Sequence, residues 1–515
     1  MTSFPSQTNN LTHELSYSCV VRIPDLPPSG HDSGSPMILK LSPFIQAALG
    51  TACLLTLAGC ASVGPDYERP ALKMPANWQA AVPHDGSTRS LLSWWQSFND
   101  PTLDDLLKSA ENDNPTLAKA AAAIASARAS YREASASAYP SSTIEAAHTR
   151  SGPFNSSARG IATVNSGELD ASWEIDLFGA VRRSRESASD RVEAVEADWH
   201  SARVSLAAEV ASEYVNYRAC RLLSENQQQN LDSLRKTEST TSSAVNAQLM
   251  APAESILAQA SVAGAAASLN VQEAECDLSI KALVALTGLE EPALRATLID
   301  TAQKIPSPTV LNVTTLPVQL LSQRPDLVSA ERNLAAANAD IGVAEANRYP
   351  RLSLLGSVSV NRTQTVGAPA VQTNLWSFGP SLSIPLFNGG ALRAQADKAR
   401  ADYVSALATY QSAVRNAVKE TEQSLVRLDA ANRRSQDLAN SARDYRRYFE
   451  TARQNWQTGG ISLLTLEEAR RNALQAEQNA IAVQRDRVLY GIALYKALGG
   501  GWQATQDTKS TGAGQ

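Results

Sequence analysis

The chain repeats itself, and that repetition limits its folds more than any other feature. Asn114-Pro115 opens an Ala-rich helical stretch that closes at Tyr139-Pro140, and Arg324-Pro325 opens another that closes at Tyr349-Pro350, with equal spacing between prolines. Trp173 to Gly179 answers to Leu382 to Gly389, Glu209 to Glu420, Leu257 to Leu466, and Leu286-Thr287-Gly288 to Leu498-Gly499-Gly500, all offset by about 210 positions. Ordered landmarks at one offset mean two copies of one unit. The copies run over 115–288 and 325–498, joined by a linker at 289–324 and followed by a tail at 499–515. An extended segment, 60–114, precedes them.

Each unit reads as short helix, two strands, very long helix, turn and medium helix, with prolines at helix starts or just past helix ends. At about 1.5 Å per residue, 179–247 predicts a rod of roughly 100 Å, while 115–139 and 250–288 predict roughly 37 and 58 Å. The two shorter rods can stack end to end beside the long one. Residues 390–457, 325–349 and 460–498 repeat the arithmetic. Rods of this length without a thick apolar face cannot enclose a globular core, and their sparse aliphatic seams suit coiled-coil contacts.

The strands alternate. Leu169, Ala171, Trp173, Ile175 and Leu177 interleave with Glu168, Asp170, Ser172, Glu174 and Asp176; Trp376, Phe378, Leu382 and Ile384 interleave with Ser377, Gly379, Ser381, Ser383 and Pro385. In the second copy Leu352, Leu354, Val358 and Val360 do the same, and 141–150 is a weaker strand. Alternation alone also fits a half-buried soluble sheet. A secretion signal, aromatic side chains on the oily face and polar loops point instead to a membrane barrel. An open sheet in lipid leaves edge groups unpaired at several kcal/mol each, and closed barrels need about eight strands. Four strands per chain therefore require an oligomer. Two, three or four copies would give eight, twelve or sixteen strands, and this physics alone does not choose.

The signal lies at 37–59: Met37 to Lys40, an apolar run from Leu41, then Leu57-Ala58-Gly59-Cys60. The last four residues resemble a bacterial lipobox, which implies cleavage before Cys60 and acyl chains on it. Ala61 in place of aspartate implies sorting to the outer membrane. A signal peptide that merely contains cysteine is the alternative. Residues 1–36, rich in Ser, Pro and Gly, read as an unstructured upstream extension.

Composition narrows the function classes. A mean hydropathy of -0.23 excludes a polytopic helical membrane protein. With 46 basic against 51 acidic residues there is no basic footprint for nucleic acid. Five histidines, five cysteines and the lack of HExxH, phosphate-loop, GxSxG and CxxC patterns leave no enzyme, metal or cofactor to propose. Gly389-Gly390 and Gly499-Gly500-Gly501 read as a strand-to-helix turn and a helix end.

Several independent motifs then occur in order: Val63-Gly64-Pro65-Asp66-Tyr67 with Pro70, Pro75 and Trp78; Trp94-Trp95 with Phe98, Asp100-Pro101 and Leu103; Trp173 to Gly179; and Leu494 to Trp502. Together they resemble the outer membrane lipoproteins of resistance-nodulation-division efflux systems, the TolC/OprM-like outer membrane factors, over residues 57–502. The resemblance implies an α+β membrane protein: a homotrimer with a 12-stranded β-barrel, four strands per chain, continued by a periplasmic helical tunnel. It implies docking to a periplasmic adaptor and an inner membrane pump, and passive conduction of small toxic compounds. A type I protein secretion duct shares this architecture, and lipoprotein status favours efflux. A poreless periplasmic coiled-coil scaffold is the alternative from another class.

The same resemblance singles out the second hairpin turn, where Trp456, Gly459 and Gly460 form the tip. Leu464 falls on the family's constricting hydrophobic position and Glu468 on its aperture aspartate, so that three copies would make two rings. The competing reading gives Ser462 as an N-cap and the acids as helix-dipole partners. Asn455-Trp456 departs from the family's Arg-Tyr latch, and the first turn has Ala251-Pro252 in place of a glycine. Cys220 and Cys276 lie 29 residues before and 27 after Leu249, at nearly one height of a hairpin. Helix axes pack about 8 to 10 Å apart while a disulfide wants Cα atoms about 5.5 Å apart, so a bond and two free thiols both remain open.

Overall fold

The structure is a computed structural model that describes residues 62–70, 79, 94–154, 160–299, 304–308 and 323–502. Residues 60–515 form one compact unit, to which every element below belongs. The upstream extension, the signal segment, Cys60 and the tail beyond Trp502 lie outside the described residues, as do Pro75 and Trp78.

The segment read as extended ends in a helix, α1 (Pro101–Asp113); the first copy contains α2 (Pro115–Ala136), β1 (Ser141–Ser151), β2 (Ala162–Ile175), α3 (Ala180–Asn246) and α4 (Pro252–Thr287), and the linker after it carries α5 (Glu291–Leu298). The second contains α6 (Pro325–Ala346), β3 (Arg351–Thr365), β4 (Val371–Ser383), α7 (Ala391–Gln457) and α8 (Leu463–Ala497). The duplication is metrical. Both long helices have 67 residues, α2 and α6 have 22 each, and α4 and α8 have 36 and 35. Proline occupies the first turn of α1, α2, α4, α5 and α6, where its missing N–H costs nothing. Among the described residues no helix is long and apolar enough to cross a membrane.

All four strands make one antiparallel sheet in the order β1-β2-β3-β4, so β2 and β3 join the two copies. Register sorts the side chains into two faces. Ile144, Leu169, Val358 and Trp376 share one row, and Glu145, Glu168 and Ser359 share the next, which ends at Leu375. In β2 the apolar-face positions from 165 to 173 are exposed while 164, 166, 168 and 170 are half-buried, so the sheet curls with its acidic face concave. Trp173 donates its indole N–H to the Ala138 carbonyl (3.0 Å) where the strands meet the helices. The outer edges of β1 and β4 find no partner strand among the described residues.

The main core surrounds the middle of the helices, and the sequence motifs explain it. Asp100 accepts from the backbone N–H groups of Thr102 and Leu103 to cap α1, and also from Tyr214 Oη (2.8 Å) and Arg218 Nη1 (3.2 Å). Trp94 stacks on Tyr495 with ring centroids 4.9 Å apart. Arg324 Nη1 donates to the Ala497 carbonyl (2.9 Å), holding the start of α6 against the end of α8. Gly64 passes so close to Gly342 of α6 that a Cβ there would lie 2.5 Å from the Gly342 Cα, while Asp66 pairs with Arg183 at 2.6 Å and Tyr67 donates to Glu331 at 2.8 Å. The Val63 to Tyr67 motif is thus a strap laid across α3 and α6.

Candidate functional site at the tip of the second hairpin

Helix α7 ends in a Schellman turn. Gly459 takes the left-handed conformation (φ +77°), its N–H donates to the Trp456 carbonyl (2.9 Å), and the Gly460 N–H donates to the Asn455 carbonyl (2.8 Å). Ser462 then caps α8 by accepting from the Thr465 N–H (3.2 Å). Two sharp caps three residues apart reverse the chain with no loop to spare.

Burial then separates neighbouring residues on α8. Leu463, Leu466 and Ala469 join Ala258 of α4 and Ala452 of α7 in a small core against which Phe449, Trp456 and Ile461 pack. Leu464 is 59% exposed, and Glu468, one turn further on the same face, is exposed too. Glu467 faces inward. It accepts from Arg470 Nη1 (2.7 Å), with the two side chains 7% and 5% exposed. Arg470 Nη2 donates to Thr237 Oγ1 of α3 (2.8 Å), and the guanidinium carbon stands 5.3 Å from the centre of the Phe449 ring. Burial pushes the Glu467 carboxyl up and the Arg470 guanidinium down, each opposed by the other's charge. Sequence reasoning missed this pair. Its only trace was an acid and a base three positions apart on a helix, a spacing that at Asp232 and Arg235 gives an exposed pair.

The cysteines are bonded, with sulfurs 2.05 Å and Cα atoms 5.5 Å apart. The apparent conflict with helix spacing disappears because each Cα sits about 2.3 Å off its axis, so axes about 10 Å apart bring facing Cα atoms to about 5.5 Å. At the first tip Gln248, not glycine, holds the left-handed position (φ +58°), donating to Val245 (2.9 Å) while Leu249 donates to Ala244 (2.8 Å). The two turns are the same motif built on different residues.

A curled four-stranded sheet, apolar outside and acidic inside, with both edges unpaired among the described residues and helices of roughly 100 Å beneath it, defines a class of protein: a membrane duct whose barrel closes only with further copies of itself. The chain belongs to the outer membrane efflux protein family, whose profile matches residues 106–289 and 316–500. It is 30% identical over 473 residues to the solvent efflux pump outer membrane protein SrpC of Pseudomonas putida, covering 88% of this chain and 98% of that one. It is 30% identical over 489 residues to outer membrane protein OprJ of Pseudomonas aeruginosa, covering 89% and 97%. A solved structure of the outer-membrane channel OprN superposes with a TM-score of 0.76 at 31% identity, over 86% of this chain and all of that one. The open state of the Neisseria gonorrhoeae MtrE channel superposes with a TM-score of 0.70 at 26% identity, over 86% and 99%. The molecule is an outer membrane channel of a resistance-nodulation-division efflux pump, and three copies complete its 12-stranded barrel.

Proposed function

We propose that the tip of the second hairpin is the periplasmic aperture of this channel, with Leu464 and Glu468 from three copies forming an apolar and an acidic ring. The observation that carries the reading is the split on α8: Leu463, Leu466 and Glu467 turn into the protomer, while Leu464 and Glu468 turn away from it, one turn apart. An acidic ring favours cations, and its self-repulsion favours opening unless protons or cations neutralise it. Trp456, Gly459 and Gly460 let the hairpin end abruptly at that constriction. The cargo is small toxic compounds, passed without chemistry to the exterior after an adaptor and an inner membrane pump load the tunnel. Acyl chains on Cys60 add an anchor to the barrel's own insertion.

Single-channel recording of the purified trimer in planar bilayers tests this. Leu464→Ala should raise conductance, and Glu468→Gln should lower the preference for cations over anions. Unchanged conductance and selectivity in both variants would remove the aperture from this turn. Mass analysis of Cys60→Ala should show the loss of acyl chains.

A further inference from the structure

We infer that the outer rim of the barrel binds the phosphate groups of an outer-leaflet lipid through Arg150 and Arg362, with His148 beside them. The helices leave the sheet at one end, so the β1–β2 and β3–β4 connections mark the other end as the cell exterior. Along β3 the outward face reads Leu352, Leu354, Gly356, Val358 and Val360, eight residue steps or about 27 Å of strand. A tilt of about 40° reduces this to roughly 20 Å, close to the apolar band of roughly 25 Å that outer membrane barrels present to lipid. The next outward position is Arg362. It stands one step past the apolar band, at the depth of lipid headgroups.

Register gathers the other cations there. Arg362 pairs across with Asn165, which pairs across with His148, so the arginine and the histidine share an outward row two strands, or about 10 Å, apart. Arg150 lies one row closer to the exterior, level with Thr163 and Gln364. Asn165 Oδ1 holds the His148 ring by Nδ1 at 2.6 Å, leaving its other nitrogen free of that contact. All three cation-capable side chains are exposed, and neither arginine has a hydrogen bond or ion pair among the described residues. The sheet's carboxylates cannot answer them, because Glu145, Glu168 and Asp170 lie on the concave face.

Two unpaired guanidinium forks on a lipid-facing wall match phosphate oxygens, which they can grip bidentately. The occupant is a lipid and not a free anion because the surface directly below the arginines is apolar, with Val358 54%, Val360 46% and Trp376 81% exposed. A phosphorylated lipid satisfies both levels at once, its headgroup on the arginines and its acyl chains along that wall. Closure of the barrel gives three such sites around its rim.

The test uses the purified, delipidated trimer and native mass spectrometry with a diphosphorylated acyl-glucosamine disaccharide lipid, the same lipid without phosphates, and inorganic phosphate as competitor. The phosphorylated lipid should be retained about tenfold more tightly than its phosphate-free counterpart. Arg150→Gln with Arg362→Gln should abolish that difference, while Arg351→Gln, at the helix end of the sheet, should keep it. Inorganic phosphate should fail to displace the lipid. Equal retention of the two lipids by the wild-type trimer overturns the proposal whether or not the double variant assembles, and so does an undiminished preference in an assembled double variant. Displacement by inorganic phosphate would make the rim a free-anion site and overturn the lipid assignment.

Discussion

The two helical hairpins match in length to within one residue and share their turn geometry but are held in different ways. The first, α3 with α4, carries a covalent tie between Cys220 and Cys276, and α4 leaves apolar residues uncovered, with Ile256 67%, Val271 64% and Leu278 60% exposed. The second, α7 with α8, has no covalent tie among the described residues. Its α8 lies against both α7 and α3, and near the tip a buried ion pair, a hydroxyl and an aromatic ring hold it. A disulfide restrains whether or not the helices stay packed, whereas a buried ion pair holds only while both partners remain in place. Duplication therefore supplied two equal rods, and divergence made one a strut tied by a disulfide and the other an arm held by a buried ion pair.

The contrast can be broken most severely at Glu467. Glu467→Ala strands the Arg470 guanidinium in a buried site, which should cost about 3 to 5 kcal/mol of local stability. Hydrogen exchange should then accelerate over 449–470 and leave α4 unchanged. Replacing both partners, as Glu467→Leu with Arg470→Met, should recover most of the loss, since an apolar pair of similar volume needs no desolvated charge. If the single and double variants exchange alike, the pair does not hold the arm.

Opening the disulfide should have the complementary effect. Cys220→Ser with Cys276→Ser should destabilise the first hairpin by about 2 to 4 kcal/mol, seen as faster proteolysis between α3 and α4 with the second tip unaffected. Equal protease resistance in wild type and variant would deny the strut its covalent basis.

The contact between α3 and α6 offers a finer comparison by pH. Burial raises Asp190 from 3.8 to about 6, opposed by the charge of Arg332 at 3.4 Å. Because the folded protein holds this proton more tightly than the unfolded chain, the contribution is complete below the unfolded value of 3.8 and is lost as pH rises through about 6. Asp190→Asn should flatten the fall of the urea midpoint over that window, and an unaltered slope would assign the pH dependence to other groups. The smallest effect is expected at the first tip. Gln248→Gly relieves a left-handed side chain and should stabilise the turn by up to about 1 kcal/mol in chemical denaturation, whereas Gly459→Gln should cost about as much.

Much of the fold was legible because its determinants are local. Proline at helix starts, long stretches of helix formers and strict alternation in β2 and β4 declare rods and two-faced strands without knowledge of the partner. The tip was legible only in part. Leu464 and Glu468 could be named from resemblance, but nothing local separates Glu467 from Glu468. They are successive acids about 100° apart on a helix, and Arg470, the partner that Glu467 meets in the buried site, is itself held by Thr237 on α3, 233 positions away. The disulfide stayed open for a similar reason, since hairpin arithmetic sets height but not which sides of two helices face each other.

The amino-acid order alone determined the duplication, the rod lengths, the two-faced strands and the need for several copies, because periodicity, chain rise and backbone hydrogen bonding act along the chain. Tertiary structure alone decided that β2 joins β3, that Glu467 is buried beside Arg470 while Glu468 is exposed, and that Arg150 and Arg362 share the outer rim. Those outcomes depend on register and helix rotation, where a shift of one residue turns a side chain to the opposite face of a strand or through about 100° on a helix.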